Sequence, residues 1–397
     1  MSDTERPILR LQPGHHKRAE AGHPWVFSNE IQMDAAAKAL PAGTAVRLAT
    51  AEGRPFAVAT FNPHTLIAAR VFGHEPDRPL DAAFLAERLG AAKALRDRLF
   101  GKPYYRLVHA EADGLPGLIA DRYGDVLALQ LNTAGMQALL EPLLEAIGTV
   151  LAPRAVVLRN ESAARGLEGL PSETRLAQGA LDGPVELEEN GVRFFADLLD
   201  GQKTGWFYDQ RDNRAFVASL GRGARVLDCY TYQGGFGVQA AVAGAAEVTL
   251  LDSSQPALDS ALRAAEANGV ADRVRALRGE AFEELQRLRD KGESYDVVIV
   301  DPPAFVKVKK DVAAGLKGYR KLFRLAARLV RPGGILAAYS CSHHVDLENF
   351  ARELRTGIGE AKRSGRILKT SGAAADHPVH PALPESAYLK GQVLQLD

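Results

Sequence analysis

A chain of 397 residues is longer than a single hydrophobic core usually supports, so we expect two or three domains. Hydrophobic residues make up 46% and charged residues 25% of the chain, as in ordinary globular proteins. The chain has 49 basic and 49 acidic residues, so its formal net charge is zero and does not indicate a class of binding partner. The first seven residues lack the apolar segment of a signal peptide, and no apolar run approaches the roughly 18 residues of a membrane span. We therefore expect a cytoplasmic protein.

Residues 1–75 are predicted to form a small, mostly β domain. Short strand-like runs at 45–48, 56–60 and 66–71 lie between Gly and Pro turn signals. Residues 76–184 are predicted to form an α+β middle domain. Its expected elements are helices at 82–100 and 136–151, strands at 118–120, 126–131 and 155–158, and a loop at 170–184.

Residues 185–397 alternate regularly between strand and helix, which predicts an α/β domain with a doubly wound, Rossmann-like sheet. The helix at 255–268 is expected to end at Gly269. The predicted strands are 225–229, 247–252, 274–278, 296–300, 334–339 and 389–396.

The segment 225–237 is typical of a strand, a glycine-rich turn and a helix that bind a cofactor, although its spacing is not the dinucleotide pattern. Asp228 ends the first strand, where it suits a cationic amino-acid group better than a pyrophosphate. Asp252 ends the second strand, where an acid can bind both ribose hydroxyls. Glu280 follows the third strand, where a carboxylate suits an adenine amino group. This order of acids favours S-adenosylmethionine over NAD, with a plain structural turn as the alternative. The predicted cofactor-binding residues are Asp228, Tyr230, Gly234, Gly235, Asp252, Ser253, Glu280, Ala281 and Asp301.

Two short segments predict the chemistry. Asp301, Pro302 and Pro303 follow one apolar run, and Ser340, Cys341 and Ser342 follow another. Both runs are typical of buried parallel strands, whose carboxyl ends face the ligand crevice of such a sheet. A thiolate and a carboxylate at neighbouring strand ends suit a covalent reaction on a nucleobase.

Cytosine C5 is a poor nucleophile until a thiolate adds to C6. Cys341 is the predicted nucleophile, and Asp301 is predicted to hydrogen-bond the N3/N4 edge of the base. The alternative for Cys341 is a small buried hydrophobic residue, which is the interpretation we prefer for Cys229. The two cysteines are predicted on non-adjacent strands, so we expect no disulfide. The loop residues Pro302, Pro303 and Phe305 are predicted to contact the base.

Between Pro302 and Arg331 the chain carries nine Lys or Arg residues and one acid. The basic residues recur on one face of a predicted helix, which we extend as far as Arg331. An ordinary solvated helix face is the alternative to a surface that contacts phosphate groups. No metal site is expected, because His343 and His344 near Cys341 are predicted on opposite faces of a strand. The predicted phosphate contacts are Lys307, Lys317, Arg320, Lys321 and Arg324.

The chain resembles the bacterial PUA-domain-bearing 23S rRNA 5-methylcytosine methyltransferases over nearly its whole length. The resemblance implies a PUA-like RNA-binding domain, a class I methyltransferase domain, and Cys341 as the nucleophile. It implies that Gln210 lines the methyl-donor site, and that the partner is 23S rRNA or a large-subunit assembly intermediate. Gln233 and Glu280 stand where the family commonly has Thr and Asp, which puts single contacts in doubt but not the cofactor. The matching segments are 14–18, 23–28, 111–117, 121–124, 202–211, the glycine turn, the Asp-Pro-Pro loop, Ser-Cys-Ser, 376–379 and 388–391.

Several questions stay open at this point. The Asp-Pro-Pro loop contains no cysteine, so the base that removes the C5 proton is unnamed, with His343, an ordered water and a backbone-held residue as alternatives. A methyltransferase acting on an exocyclic amine of adenine or guanine would use Asp301 and need no thiol. A non-catalytic RNA-binding assembly factor and a small-molecule or protein methyltransferase are further alternatives. The sequence leaves the oligomeric state open, a homo-oligomer included, and does not name the target cytosine.

Overall fold

The computed structural model describes residues 6–201 and 205–397. The chain forms two compact units. The first contains Met1–Val185, Ala196–Trp206 and Ala375–Pro384, and the second contains Glu186–Phe195, Phe207–Ala374 and Glu385–Asp397. Domain boundaries at residues 75 and 184 stay a prediction. None of the helices in the described ranges has the length and apolar character needed to cross a membrane.

The N-terminal part of the first unit is a five-stranded sheet in the order β1-β3-β4-β5-β2. The predicted runs at 45–48 and 56–60 lie within β3 and β4, and the run at 66–71 overlaps β5. Buried apolar side chains from these strands, such as Val46, Leu48 and Phe61, form its core. The elements are β1 (Ile8–Arg10), α1 (His16–Glu20), β2 (Trp25–Phe27), α2 (Ala35–Lys38), β3 (Thr44–Ala49), β4 (Pro55–Phe61) and β5 (Ile67–Gly73).

The rest of the first unit is built on a second five-stranded sheet, in the order β10-β9-β8-β7-β6. The predicted loop at 170–184 is wrong, because strand β10 pairs antiparallel with β9 inside it. This edge strand has no buried residue, so its sequence carries no hydrophobic alternation. The predicted helix at 136–151 is two helices that meet at Leu139. The elements are α3 (Ala82–Leu99), β6 (Tyr104–His109), β7 (Leu118–Tyr123), β8 (Val126–Leu131), α4 (Ala134–Ala138), α5 (Leu140–Leu151), β9 (Ala155–Asn160), α6 (Ala163–Leu167) and β10 (Glu173–Gly179).

The second unit is built on a seven-stranded sheet in the order β15-β14-β13-β16-β17-β19-β18. Strands β13 to β17 are parallel, and β19 and β18 add antiparallel at one edge. The strand order reverses between β13 and β16, which is where ligands bind in open sheets of this kind. The elements are β11 (Val185–Glu189), β12 (Val192–Ala196), α7 (Arg211–Ser219), β13 (Arg225–Cys229), α8 (Gly235–Val242), β14 (Glu247–Asp252), α9 (Gln255–Ala267), β15 (Val274–Arg278), α10 (Ala281–Asp290), β16 (Tyr295–Val300), α11 (Val312–Ala327), β17 (Val330–Ser340), α12 (Leu347–Glu360), β18 (Gly365–Ser371) and β19 (Lys390–Leu396).

All six strands predicted in this unit are present, and the first three have the predicted bounds. The exposed edge strand β18 was not predicted, because none of its residues is buried and its pattern is not apolar. Helix α11 ends at Ala327, so Arg331 lies on β17 and not on the predicted helix. Gly269 follows α9 with a φ of +69°, as predicted for a helix end.

Candidate functional site

The carboxyl ends of four parallel strands bring the predicted acids and the thiol to one edge of the sheet. Asp228 and Asp252 lie at the ends of the neighbouring strands β13 and β14. Asp301 directly follows β16, which pairs with β13, and Cys341 directly follows β17, which pairs with β16. The sheet order therefore places Asp301 and Cys341 at the ends of adjacent strands. Cys229 is buried and Cys341 half-buried, and neither forms a disulfide.

The turn between β13 and α8 has an unusual backbone. Tyr230 and Tyr232, although not glycines, have φ values of +61° and +52°. Such left-handed residues cost on the order of 1 kcal/mol each, so other contacts must hold them. The Tyr232 N–H donates to the Asp252 carboxylate at 2.9 Å, and the Thr231 N–H donates to the Leu251 carbonyl at 3.1 Å.

Glycine is required at the start of helix α8. Gly234 has a φ of +81°, and a Cβ there would lie 2.7 Å from the Val238 side chain. A Cβ on Gly235 would lie 2.6 Å from Arg214 Nε. Packing against Val238 and Arg214 therefore requires both glycines, which are buried, and their role in close approach of a ligand stays a prediction.

Asp228 is a buried carboxylate. One of its oxygens is hydrogen-bonded, and the other is orphaned, meaning that it has no hydrogen-bond partner in the described ranges. Oδ2 accepts from the Thr231 hydroxyl at 2.5 Å and from the Gly237 N–H at 2.8 Å. Oδ1 is buried and has no partner within residues 6–201 and 205–397. Burial, with a smaller repulsion from Asp252, raises the pKa of Asp228 to about 6. An orphaned buried oxygen on an acid fits the cationic amino group of S-adenosylmethionine, since an ammonium would satisfy it.

The other predicted cofactor residues surround this turn. Asp252 is half-buried and accepts backbone N–H groups from Tyr232 and Ser254, both at 2.9 Å. Each carboxylate oxygen keeps a further lone pair, which leaves capacity for ribose hydroxyls. Ser253 and Glu280 are exposed, and Ala281 is buried at the start of α10. The cofactor roles of these residues stay predictions.

Gln210 and Asp301 form a direct pair. Gln210 is buried and its Nε2 donates to Asp301 Oδ2 at 3.0 Å. Asn213 donates to Gln210 Oε1 at 2.7 Å, which fixes the amide with its NH₂ group toward Asp301. Desolvation, together with repulsion from Asp209 and Asp228, raises the pKa of Asp301 to about 7. At neutral pH Asp301 is therefore close to half protonated and able to donate or accept a proton.

Asp209 is a further residue of the candidate site, and the sequence interpretation did not name it individually. It lies in the matching segment 202–211, of which 202–204 lie outside the described residues. The Tyr388 hydroxyl donates to Asp209 Oδ2 at 2.6 Å, whereas the buried Oδ1 has no partner in the described part of the chain. The motif match was the only signal for it.

Cys341 is held between two buried serines. Tyr319 on α11 contacts both: its hydroxyl lies 2.8 Å from the Ser340 hydroxyl and 2.8 Å from the Ser342 hydroxyl. The Val306 N–H donates to Ser342 Oγ at 3.2 Å, so the segment after Asp301 is tied to the segment that carries the thiol. The sequence interpretation did not name Tyr319 as a site residue, because its hydroxyl partners are distant in sequence.

The loop after β16 packs against the same helix. Pro302 is buried and Pro303 is exposed. The Phe305 ring packs against Tyr319 with centroids 4.7 Å apart and against Phe282 at 6.0 Å. The predicted contacts of these loop residues with a base stay predictions.

The predicted basic surface divides into paired and exposed residues. Arg320 contacts Glu353 at 2.7 Å and Arg324 contacts Glu360 at 3.3 Å, both on α12. Lys321 Nζ lies 5.0 Å from the centroid of the Phe282 ring. Lys307 and Lys317 are exposed. The contact of these residues with phosphate groups stays a prediction. Arg320 and Arg324 are the less suitable candidates, because carboxylates of α12 already neutralise their charges.

Two placements differ from the sequence interpretation. Arg331 contacts Asp296 at 2.8 Å from strand β17. His343 and His344 lie in an exposed turn after β17, which ends at Ser340, so strand alternation does not apply to them. The His343 ring stacks on Tyr388 with centroids 5.1 Å apart.

Comparison with known proteins adds family information to this geometry. Residues 154–356 match the family model described as S-adenosylmethionine-dependent methyltransferase, and residues 9–74 match a PUA-like domain. The chain is similar to two proteins named ribosomal RNA large subunit methyltransferase I. The one from Shewanella denitrificans is 36% identical over 98% of this chain and 99% of its own length. The one from Photobacterium profundum is 38% identical over 96% of this chain and 98% of its own length.

A solved structure shares the fold. The crystal structure of SMU.776 complexed with SAH matches with a TM-score of 0.82 at 20% identity, and covers 98% of this chain and 100% of that chain. At this identity the likeness shows the fold alone. Together with the two domain matches it confirms the predicted fold class, a Rossmann-like methyltransferase domain preceded by a PUA-like domain.

Proposed function

Because the chain belongs to the S-adenosylmethionine-dependent methyltransferases with an N-terminal PUA-like domain, the family of ribosomal RNA large subunit methyltransferase I, we propose that it methylates C5 of a cytosine in 23S rRNA. Membership in this family confirms S-adenosylmethionine as the cofactor predicted from the acids at the strand ends. We assign the methylation to C5 because the thiol of Cys341 lies at the strand end next to Asp301.

The cofactor residues follow from the geometry of the turn. Asp228, with its orphaned oxygen, would hold the amino group, and Asp252 would hold the ribose hydroxyls. Gly234 and Gly235 allow the tight turn that packs against Val238 and Arg214, and Gln210 fixes the Asp301 side of the site. When bound, S-adenosylmethionine supplies an electrophilic methyl group on a sulfonium sulfur.

The residues of the chain carry the remaining chemistry. The Cys341 thiolate adds to C6 of the base, and the new S–C6 bond sends the C5–C6 π electrons to C5, which becomes nucleophilic. Asp301, with a pKa of about 7, hydrogen-bonds the N3/N4 edge and supplies a proton as negative charge develops there. After C5 has gained its methyl group, loss of the C5 proton to a base restores the double bond and expels the thiolate, and the N3/N4 edge returns its proton to Asp301. His343, an ordered water and a backbone-held residue are alternatives for the base that takes the C5 proton.

Exposed lysines of the second unit are candidate contacts for the RNA substrate. Lys307 lies in the segment that follows the Asp-Pro-Pro loop, and Lys317 lies on α11. Both are exposed, as groups that neutralise RNA phosphates must be. Free 23S rRNA and a large-subunit assembly intermediate are both candidate substrates.

The first experiment is nucleoside mass spectrometry. Unmodified 23S rRNA is incubated with labelled S-adenosylmethionine and wild-type enzyme, Cys341→Ala or Cys229→Ala, and then digested. We expect label in 5-methylcytidine with wild type and Cys229→Ala, and none with Cys341→Ala. The Cys229 variant is the matched control, because that thiol is buried in the core at the end of β13.

Two results would contradict the proposal. Label in N6-methyladenosine or N2-methylguanosine, kept by Cys341→Ala, would favour amine chemistry at Asp301. Tight RNA binding without any label, on free RNA and on assembly intermediates alike, would favour a non-catalytic assembly factor.

A further inference from the structure

Lys390 is a buried cation that the proposed mechanism does not yet use. It is the first residue of β19 and only 6% exposed. In the antiparallel pairing of β19 with β17, Lys390 lies opposite Ser340. Its Nζ donates to the Ser342 carbonyl at 2.7 Å and to the Tyr388 carbonyl at 2.8 Å. Lys390 therefore contacts the chain on both sides of Cys341.

Asp346 is the carboxylate that attracts this ammonium, but the two groups form no ion pair. No ion pair to Lys390 is present in the described ranges 6–201 and 205–397, and its two hydrogen-bond acceptors are neutral carbonyls. A buried cation that is only partly compensated favours a nearby anion. An ammonium has three N–H donors, so one remains beyond the two carbonyls. The thiolate of Cys341 is the anion that this position can stabilise.

We propose that Lys390 is a positioning residue that stabilises Cys341 as the thiolate and so prepares it to attack the base. The ammonium keeps its proton, so no group is transferred to or from Lys390. The inference rests on the proposed function only for the identity of the electrophile, because the state of the thiol is a property of the free enzyme.

The electrostatics around Lys390 agree with this role. Burial lowers the pKa of the Lys390 ammonium to about 8, against attraction to Cys341 and Asp346, which raise it. An ammonium with this pKa is mostly charged at neutral pH. The Tyr319 hydroxyl from α11 interacts with Cys341, and the Asp346 carboxylate at the N-cap of α12 interacts with Lys390. His343, two residues after Cys341, stacks on the Tyr388 ring.

The test is the pH dependence of Cys341 alkylation by iodoacetamide in the enzyme without RNA or S-adenosylmethionine. Cys229 is fully buried, so the reaction reports on Cys341, and Cys341→Ala supplies the background. The variants are Lys390→Met, Lys390→Gln and Lys390→Arg, each checked for native circular dichroism.

Removal of the charge in Lys390→Met should move the midpoint of alkylation to higher pH by about one unit and slow the reaction at pH 7 about tenfold. Lys390→Gln keeps an N–H donor and should show the same shift, whereas Lys390→Arg should keep most of the wild-type profile. An unchanged midpoint in folded Lys390→Met or Lys390→Gln would overturn the inference. An equal shift in Lys390→Arg would overturn it too, because the effect would then follow packing and not charge. Because alkylation requires no methyl transfer, these outcomes are independent of which nucleoside is methylated.

Discussion

The Tyr319 hydroxyl lies 2.8 Å from the Ser342 hydroxyl, which in turn accepts the Val306 N–H. This contact joins helix α11 to the residue directly after Cys341 and to the loop that follows Asp301. The two predicted reactive residues, Asp301 and Cys341, therefore share one buried hydrogen-bonded support.

Tyr319→Phe tests that support. Loss of the hydroxyl removes one hydrogen bond from each of the buried Ser340 and Ser342 hydroxyls, which should lower the free energy of unfolding by about 1–3 kcal/mol. We also expect kcat to fall with little change in the dissociation constant for S-adenosylmethionine, because the thiol loses its fixed position. Tyr339→Phe is the matched control, since the Tyr339 hydroxyl is buried without a partner in the described ranges. Equal losses in both variants would argue against the support.

Asp228→Asn tests the amino-group site. The change replaces the carboxylate, including its oxygen without a partner, by a neutral amide. The dissociation constant for S-adenosylmethionine should therefore rise at least tenfold, as measured by titration calorimetry. With a pKa of about 6 for Asp228, wild-type affinity should fall as pH decreases from 7 to 5, and the variant should lack this dependence. Asp296→Asn is the control, because Asp296 lies near the opposite end of β16 and contacts Arg331. An unchanged affinity in Asp228→Asn would show that the amino group of S-adenosylmethionine does not bind at Asp228.

The raised pKa of Asp301 predicts that the stability of the Asp301→Asn variant relative to wild type depends on pH. The folded pKa of about 7 is above the ordinary value of 3.8, so the folded state holds the proton more tightly than the unfolded chain. Between these values the folded state binds more protons, and wild-type stability must fall as pH rises. The variant has no such loss, so its stability relative to wild type should increase from pH 4 to pH 8, by roughly 4 kcal/mol. Urea unfolding at both pH values measures it, and a constant difference would refute the raised pKa.

Lys317→Ala and Arg320→Ala should behave differently. Lys317 is exposed, so its loss should weaken RNA binding and reduce the slope of log affinity against log salt by about one, with little change in stability. Arg320 contacts the buried Glu353, so its loss should lower the free energy of unfolding by about 1–2 kcal/mol. Filter binding over a salt series and urea unfolding separate the two effects. A salt slope unchanged by Lys317→Ala would leave α11 outside the RNA surface.

The sequence by itself determined the strands that carry the predicted site residues and the residues that follow those strands. Apolar runs such as the one before Asp301 predict buried parallel strands, and parallel strands place their following residues at one edge of a sheet. The segments β13 and β14 were predicted with their observed bounds for this reason, whereas the mostly exposed edge strand β15 was predicted from the regular alternation of strand and helix. Edge strands β10 and β18 were not predicted, since exposed strands carry no apolar pattern and depend on pairing with a partner distant in sequence.

Only the tertiary structure decided which side chains surround the reactive groups. The hydroxyl of Tyr319, the ammonium of Lys390 and the carboxylate of Asp209 reach the site from segments distant in sequence from Asp301 or Cys341. Their partners are set by packing, which local sequence patterns do not encode. The raised pKa of Asp301 has the same origin, because desolvation and the approach of Asp209 and Asp228 exist only in the folded chain.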